Sequence, residues 1–224
     1  MIPFTDKRLE QAYNHVIVGD LYEAIELFNN YLKDNPDDIP LLMEVASLYY
    51  MLGEMNKCIG IYEKIIAQNP DNIFTHFRMG VALYRLTHFN AAVEVLNKII
   101  KSGKHMPITY LWLGLSYYHM GKKDLSIECY RKLLELSPET TMANYYVGIA
   151  LKASGKYDEA IICFKKLLEI NNRHLSAHYH LGKLYVRIHK YELAKEQFQE
   201  VLKIDPLNEN AVEMMEYICD DHEI

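Results

Sequence analysis

Apolar residues recur along this chain at the spacing of an amphipathic helix, in short blocks that polar turns interrupt. Leu181, Leu184 and Tyr185 mark one such block, and Ala194, Phe198, Val201 and Leu202 mark the next. The blocks come in pairs, and the pairs repeat. Small residues stand at Ala12, Ala46, Gly80, Gly114, Gly148 and Gly182, each 34 positions after the last. Twelve positions further on stand Ala24, Cys58, Ala92, Ser126, Ala160 and Ala194, and four beyond those the large residues Phe28, Tyr62, Leu96, Tyr130, Phe164 and Phe198. Small slots let two helix backbones approach, and the large residue fills the groove beside them. The pattern predicts two antiparallel helices per period. Neither pair can bury its apolar faces alone, so stacking must create the core.

With small residues at two fixed slots and large apolar ones between, the 34-residue period resembles the tetratricopeptide repeat, whose pattern is W-x2-L-G-x2-Y, then A-x3-F, then P. Pro36, Pro70, Pro138 and Pro206 fill the last slot, which holds Lys104 and Asn172 in the third and fifth repeats. The Trp slot departs throughout, holding Arg8, Leu42, His76, Tyr110, Asn144 and His178. The resemblance covers Thr5 to Asn208 without insertion and implies an all-α fold, a right-handed α-solenoid of six helix-turn-helix repeats. After a lead-in of residues 1–4, the repeats run 5–38, 39–72, 73–106, 107–140, 141–174 and 175–208. In residues 209–224, Ala211, Val212, Met215, Ile218 and Cys219 form an apolar stripe opposite an acidic face, as expected of a C-terminal capping helix. Pro107 comes three places late, which predicts a differently shaped junction over residues 102–106.

Composition agrees with helices. Gly and Pro make 17 of 224 residues, about two-thirds of the usual share of roughly 12%, too little turn chemistry for an all-β sandwich or barrel. An apolar content of 50% excludes intrinsic disorder. A net charge of −6 argues against nucleic acid as a partner, but it is a cancellation. The first two repeats hold five Lys and Arg against twelve Asp and Glu, the next four 19 against 12, and residues 209–224 six acids and no Lys or Arg. The first residues lack an apolar signal core, and the longest stretch free of Asp, Glu, Lys and Arg, residues 105–121, contains Pro107 and falls short of a membrane span. The expectation is a cytoplasmic protein without membrane insertion. Cys58, Cys129, Cys163 and Cys219 have no CxxC spacing and read as reduced, packed thiols.

Catalytic chemistry is not evident. Gly114 to Lys122 and Gly148 to Lys156 resemble phosphate loops only superficially, because their glycines lie seven apart, no Ser or Thr follows the Lys, and no strand precedes them. His174, His178 and His180 form an H-x3-H-x-H run without a cysteine or HExxH partner, and His178 falls in the Trp slot, so packing is favoured over metal. Paired acids such as Asp37 and Asp38 fall in expected turns. The reading is therefore of a non-enzyme with no cofactor and no metal.

The family resemblance implies that first-helix residues at repeat positions 2, 5, 9, 12 and 13, with position 6 beside them, line a concave peptide-binding groove. Carried over, these are Phe74, Phe77, Arg78, Val81, Tyr84 and Arg85 in the third repeat and Ile108, Leu111, Trp112, Leu115 and Tyr118 in the fourth. The fifth offers Met142, Tyr145, Tyr146, Ile149 and Lys152, and the sixth Tyr179, Lys183 and Arg187, with His180 at its position 6. None of the 24 such positions in these repeats is Asp or Glu, and positions 2, 6 and 9 are unusually apolar. The chaperone-tail clamp found in some family members does not carry over: positions 5 and 9, its Lys and Asn, are here Tyr145 and Ile149 in the fifth repeat. The expected function is a protein-binding adaptor or assembly factor whose ligand is an apolar, net-acidic peptide or amphipathic helix. The alternatives are a self-associating scaffold, its acidic end meeting the basic body of another copy, and a regulatory subunit of an enzyme complex.

Overall fold

A computed structural model describes residues 6–104 and 106–222, the side chains of 220–222 excepted. Among these residues there are thirteen helices and no strand. The first helices of the hairpins are α1 (Lys7–Val18), α3 (Ile39–Met51), α5 (Ile73–Arg85), α7 (Ile108–His119), α9 (Thr141–Ala153) and α11 (Leu175–Arg187). The second helices are α2 (Leu21–Asp34), α4 (Met55–Gln68), α6 (Phe89–Lys101), α8 (Lys123–Leu136), α10 (Tyr157–Ile170) and α12 (Tyr191–Ile204), and α13 (Glu209–His222) follows. Second helices begin every 34 residues without exception. Packing divides the chain into two compact units, Met1–Trp112 and Leu113–Ile224, with the boundary inside α7.

In the first unit each helix from α1 to α6 packs on the next. The same holds from α8 to α13 in the second. The large slot residues are the centres of these layers: Phe28, Tyr62 and Leu96 in one unit and Tyr130, Phe164 and Phe198 in the other are fully buried. Leu96, Tyr130, Phe164 and Phe198 each reach the small slot, a glycine, of their own first helix. A methyl group on Gly80 would lie 2.6 Å from Leu96 Cγ, one on Gly148 2.8 Å from Phe164 Cζ, and one on Gly182 2.8 Å from Phe198 Cζ. Glycine is thus required there by close approach rather than by backbone freedom.

Backbone freedom matters at a different slot. The turn inside each hairpin places one residue in the left-handed region, at Gly19, Gly53, Thr87, Gly121, Gly155 and His189, with φ from 58° to 85°. These too are 34 residues apart. Four are glycine, which adopts this conformation without strain, whereas Thr87 carries a β-branched side chain there.

Capping fixes several helix starts. Asp38 accepts from the Leu41 N–H at 3.0 Å, Asn72 from Thr75 at 3.1 Å, and Asn208 from Ala211 at 3.1 Å. At the fourth repeat the period is locally altered: α6 stops at Lys101, Gly103 turns the chain with φ 71°, and α7 begins at Ile108. His105, in the middle of that junction, lies outside the described residues. The histidines in the Trp slot replace indole packing by a tether. His76 Nε2 donates to the Pro70 carbonyl at 2.8 Å, and His178 Nε2 to the Asn172 carbonyl at 2.9 Å, so each buried ring holds the loop that enters its own hairpin. In α13, which packs on α12, Ala211 and Ile218 are buried, Met215 and Cys219 are half-buried, and Val212 is 40% exposed.

Candidate functional site

The first helices present the residues that the repeat pattern assigns to a binding face, and the two units are best taken separately. In the first, Phe74 is 64% exposed and Ile108 37%, with Phe77, Tyr84 and Trp112 half-buried and Arg78 and Arg85 exposed. Tyr84 of α5 meets Trp112 of α7 edge-on, with ring centroids 5.2 Å apart. The Arg85 guanidinium lies over the Tyr50 ring, 4.6 Å from its centroid. Val81 and Leu111 differ from the expectation. They are 7% and 4% exposed and belong to the packed interior, because the helices packed against each position, and not its place in the repeat alone, decide its burial.

In the second unit Met142 is 52% exposed, Lys183 and Arg187 are exposed, and Leu115, Tyr118, Tyr145, Tyr146, Ile149, Lys152 and Tyr179 are half-buried. Tyr146 stacks on Tyr130 at 5.6 Å and meets Tyr145 edge-on at 5.3 Å. Tyr145 also stacks on His174 at 5.7 Å. The Lys183 ammonium lies 5.5 Å from the centre of the Tyr179 ring.

One contact among these residues has a defined chemistry. Lys152 Nζ of α9 lies 3.1 Å from His180 Nδ1 of α11, and Tyr145 Oη lies 3.3 Å from His180 Nε2. An ammonium has donors only, so Nδ1 must accept and the single ring proton must sit on Nε2, which donates to the Tyr145 oxygen. The neutral ring is enforced by its surroundings. Burial first, then the positive charges of Lys152 and Lys183 and the neighbouring His174, pull the His180 pKa down to about 4. Burial, and after it Lys183, pushes the Lys152 pKa below the ordinary lysine value. Burial raises that of Tyr145, which Ser176 opposes by hydrogen bonding. His180 stands at repeat position 6 in the sequence, but nothing in the sequence distinguishes it, because its environment is built by α9, one repeat away.

Electrostatics complete the picture. Arg78, Arg85, Lys152, Lys183 and Arg187 make no ion pair with a carboxylate among the described residues. The pairs that do form join other groups, such as Arg131 with Glu159 at 2.9 Å and Arg8 with Asp34 at 2.7 Å. Arg187 instead donates to Tyr157 Oη at 3.4 Å. All four cysteines are free thiols. Burial pushes Cys58 to about 11 and Cys129 to about 12, and raises Cys163, which leaves these three protonated and weakly nucleophilic. Among the described residues no group of three His, Cys, Asp or Glu side chains is placed to hold a metal ion, and no helix is long and apolar enough to cross a membrane.

Tandem helical hairpins locked by one large side chain apiece, with half-exposed aromatics and unpaired cations along their first helices, define a helical-repeat interaction protein. Family comparison specifies which. Tetratricopeptide repeat models match residues 17–75, 107–140 and 139–206, and the chain belongs to the tetratricopeptide repeat family. Members of this family are typically non-catalytic scaffolds for protein–protein interaction. No curated protein sequence matches the chain. Among solved structures, PilW, a type IV pilus biogenesis factor, is 16% identical with a TM-score of 0.78, covering 93% of this chain and 96% of its own. A tetratricopeptide repeat protein from Parabacteroides merdae is 20% identical with a TM-score of 0.78, over 95% and 84%. YrrB, described as having an unusual peptide-binding site, is 20% identical with a TM-score of 0.71, over 84% and 97%. At these identities the likeness is one of fold.

Proposed function

We propose that this chain is a non-enzymatic adaptor or assembly factor that binds polypeptide segments with apolar anchors and net negative charge along the exposed faces of its first helices. The observation that carries this reading is the coincidence of two features on those faces. In the first unit the half-exposed Tyr84 and Trp112 lie on first helices that also carry Arg78 and Arg85, in the second Tyr118, Tyr145 and Tyr146 lie on first helices with Lys152, Lys183 and Arg187, and no ion pair to a carboxylate among the described residues engages these five cations. Aromatic side chains supply much of the binding energy at interfaces, and unpaired cations steer an acidic partner and set its register. YrrB is described as binding peptide, which accords with such a use of the fold. The four free thiols accord with a reducing, cytoplasmic location.

Trp112 is the single tryptophan, so its emission reports directly on occupancy of the face it shares with Tyr84. The test is affinity capture of partners from the native host by the protein and by the doubly substituted Trp112→Ala, Tyr118→Ala variant, with circular dichroism to confirm the fold. Capture should fall by about tenfold or more, since each truncated anchor removes on the order of 1–2 kcal/mol. Undiminished capture by the folded variant would refute the reading.

A further inference from the structure

We propose that a pocket between α8, α9 and α10, opened by Asn144 in the Trp slot of the fifth repeat, receives the indole ring of a tryptophan from a partner polypeptide. The pocket belongs wholly to the second unit and uses none of the aromatic or cationic residues of the first-helix faces, so it stands apart from the reading above.

Side-chain size opens the pocket, as the next repeat shows. In the sixth repeat the Trp slot is closed: the buried His178 ring spans from the Asn172 carbonyl, at 2.9 Å, to Gln197 Oε1 of α12, at 2.8 Å. The buried Leu181 and Tyr185 continue the same face of α11 at i+3 and i+7. One period earlier these four places hold Asn144, Val147, Leu151 and Cys163, each smaller than its counterpart. All four line the pocket, whose volume is about 270 Å³. That is just below the roughly 300 Å³ at which sites begin to hold drug-sized molecules, and it suits a single ring system.

The chemistry of the lining selects indole. Val147 and Leu151, 3% and 1% exposed, supply an apolar floor for a flat ring. Asn144 is half-buried beside them, and its side chain makes no hydrogen bond among the described residues, which leaves its carbonyl oxygen to accept a ring N–H. Exposed Arg131 and Lys166 stand at the mouth, and cations beside an aromatic face favour tryptophan over the other rings. The mouth also points to a polypeptide rather than a free aromatic molecule. Ile162, 54% exposed, lies there, and a chain continuing past the ring covers it where a free ring leaves it in water. Glu159 pairs with Arg131 at 2.9 Å, while Lys166 has no carboxylate partner among the described residues. Two bases to one acid at the mouth complement a tryptophan with acidic neighbours.

Four probes test the proposal on the full chain: acetyl-Asp-Trp-Asp-amide, the same peptide with the indole nitrogen methylated, acetyl-Asp-Leu-Asp-amide, and free indole. Calorimetry gives the affinities, and NMR of the asparagine side-chain amides gives the place of binding. The Trp peptide should bind about tenfold more tightly than the Leu peptide and shift the Asn144 amide signals. Methylating the ring nitrogen removes the donor and should weaken binding about fivefold. Free indole should shift the same signals but bind about tenfold more weakly than the Trp peptide, and equal affinity would overturn the polypeptide source. Two variants close the pocket from within. Asn144→His with Cys163→Gln installs the pair that seals the sixth repeat, and Asn144→Trp supplies the ring itself; either should abolish the preference for Trp over Leu. The site is overturned if the unaltered chain shows no such preference, if the preference leaves the Asn144 amide unmoved, or if it survives in a closed variant that circular dichroism shows to be folded. Because the closed variants keep Trp112 and Tyr118, their failure to lose the preference would leave the first-helix reading untouched.

Discussion

Replacing Gly148 with alanine would set a methyl carbon 2.8 Å from Phe164 Cζ and 3.0 Å from both Cε1 and Cε2. Real carbon pairs do not approach so closely, and the phenyl ring cannot swing aside as a flexible chain end would. Phe164 is wholly buried. The ring must therefore shift or the α9–α10 spacing must open, an overpacking cost of about 2 kcal/mol. Against it stands the helix preference of alanine over glycine, about 1 kcal/mol in the middle of α9. The net expectation is a loss of about 1 kcal/mol, which lowers the melting temperature by roughly 2–4 °C in a chain of this size. In a Phe164→Ala background, itself less stable by about 3–5 kcal/mol, the clash is absent. There Gly148→Ala should stabilise by about 1 kcal/mol, so the cycle gives a coupling of about 2 kcal/mol. Denaturant unfolding of the four proteins measures it. If alanine stabilises equally in both backgrounds, the glycine slot is not a packing constraint and the reasoning fails. The first two repeats show why the outcome is not trivial: they carry Ala12 and Ala46 in that slot, fully buried, in repeats whose large slots hold the fully buried Phe28 and Tyr62.

Other outcomes follow from single positions. Thr87 sits at φ 60° in a slot that is glycine in four repeats, so Thr87→Gly should stabilise by about 1 kcal/mol in denaturant unfolding, whereas Thr87→Val should not. His180 titrates near 4 when folded and near the ordinary value of about 6.5 when unfolded, so the folded chain binds fewer protons. Its contribution is complete above pH 6.5 and is lost as the pH falls towards 4, by up to about 3 kcal/mol. His180→Gln should flatten that part of the stability profile, and an unchanged slope would contradict the neutral, desolvated ring. Ile218 of α13 is 1% exposed, so Ile218→Asp buries a charge and should cost several kcal/mol, about 3 or more, with increased binding of a hydrophobic dye. Val212→Asp, at an exposed position of the same helix, should change little.

The period of 34 made the fold legible because tandem packing forces the same small and large residues to recur wherever two helices close on one another. Every second helix begins on that register, from Leu21 to Tyr191. The site was less legible for two physical reasons. Burial depends on the layer above and below, which periodicity does not encode, so Val81 and Leu111 were assigned to the binding face on repeat position although their side chains turn into the core. Chemistry depends on contacts between repeats. His178 and His180 are two residues apart in one helix, yet one ties a loop carbonyl while the other accepts from a lysine that lies 28 positions earlier. The H-x3-H-x-H spacing therefore names three rings with separate tasks, since His174 caps α11 by accepting from the Ala177 N–H at 3.2 Å. The left-handed turn slot is not legible as a repeat position, because two of its six members, Thr87 and His189, are not glycine yet share the same backbone conformation.

The central claim is that the first-helix faces bind an acidic segment with apolar anchors. Site-specific photo-cross-linking in the native host tests it most directly, with a benzophenone amino acid at position 112 or 146 and, as a control, at position 212, where Val212 is exposed on α13. The account predicts that positions 112 and 146 capture partner peptides that are apolar and net acidic, in yields well above those from position 212. Equal yields from all three positions, or adducts of predominantly basic sequence from the first-helix positions, would contradict it.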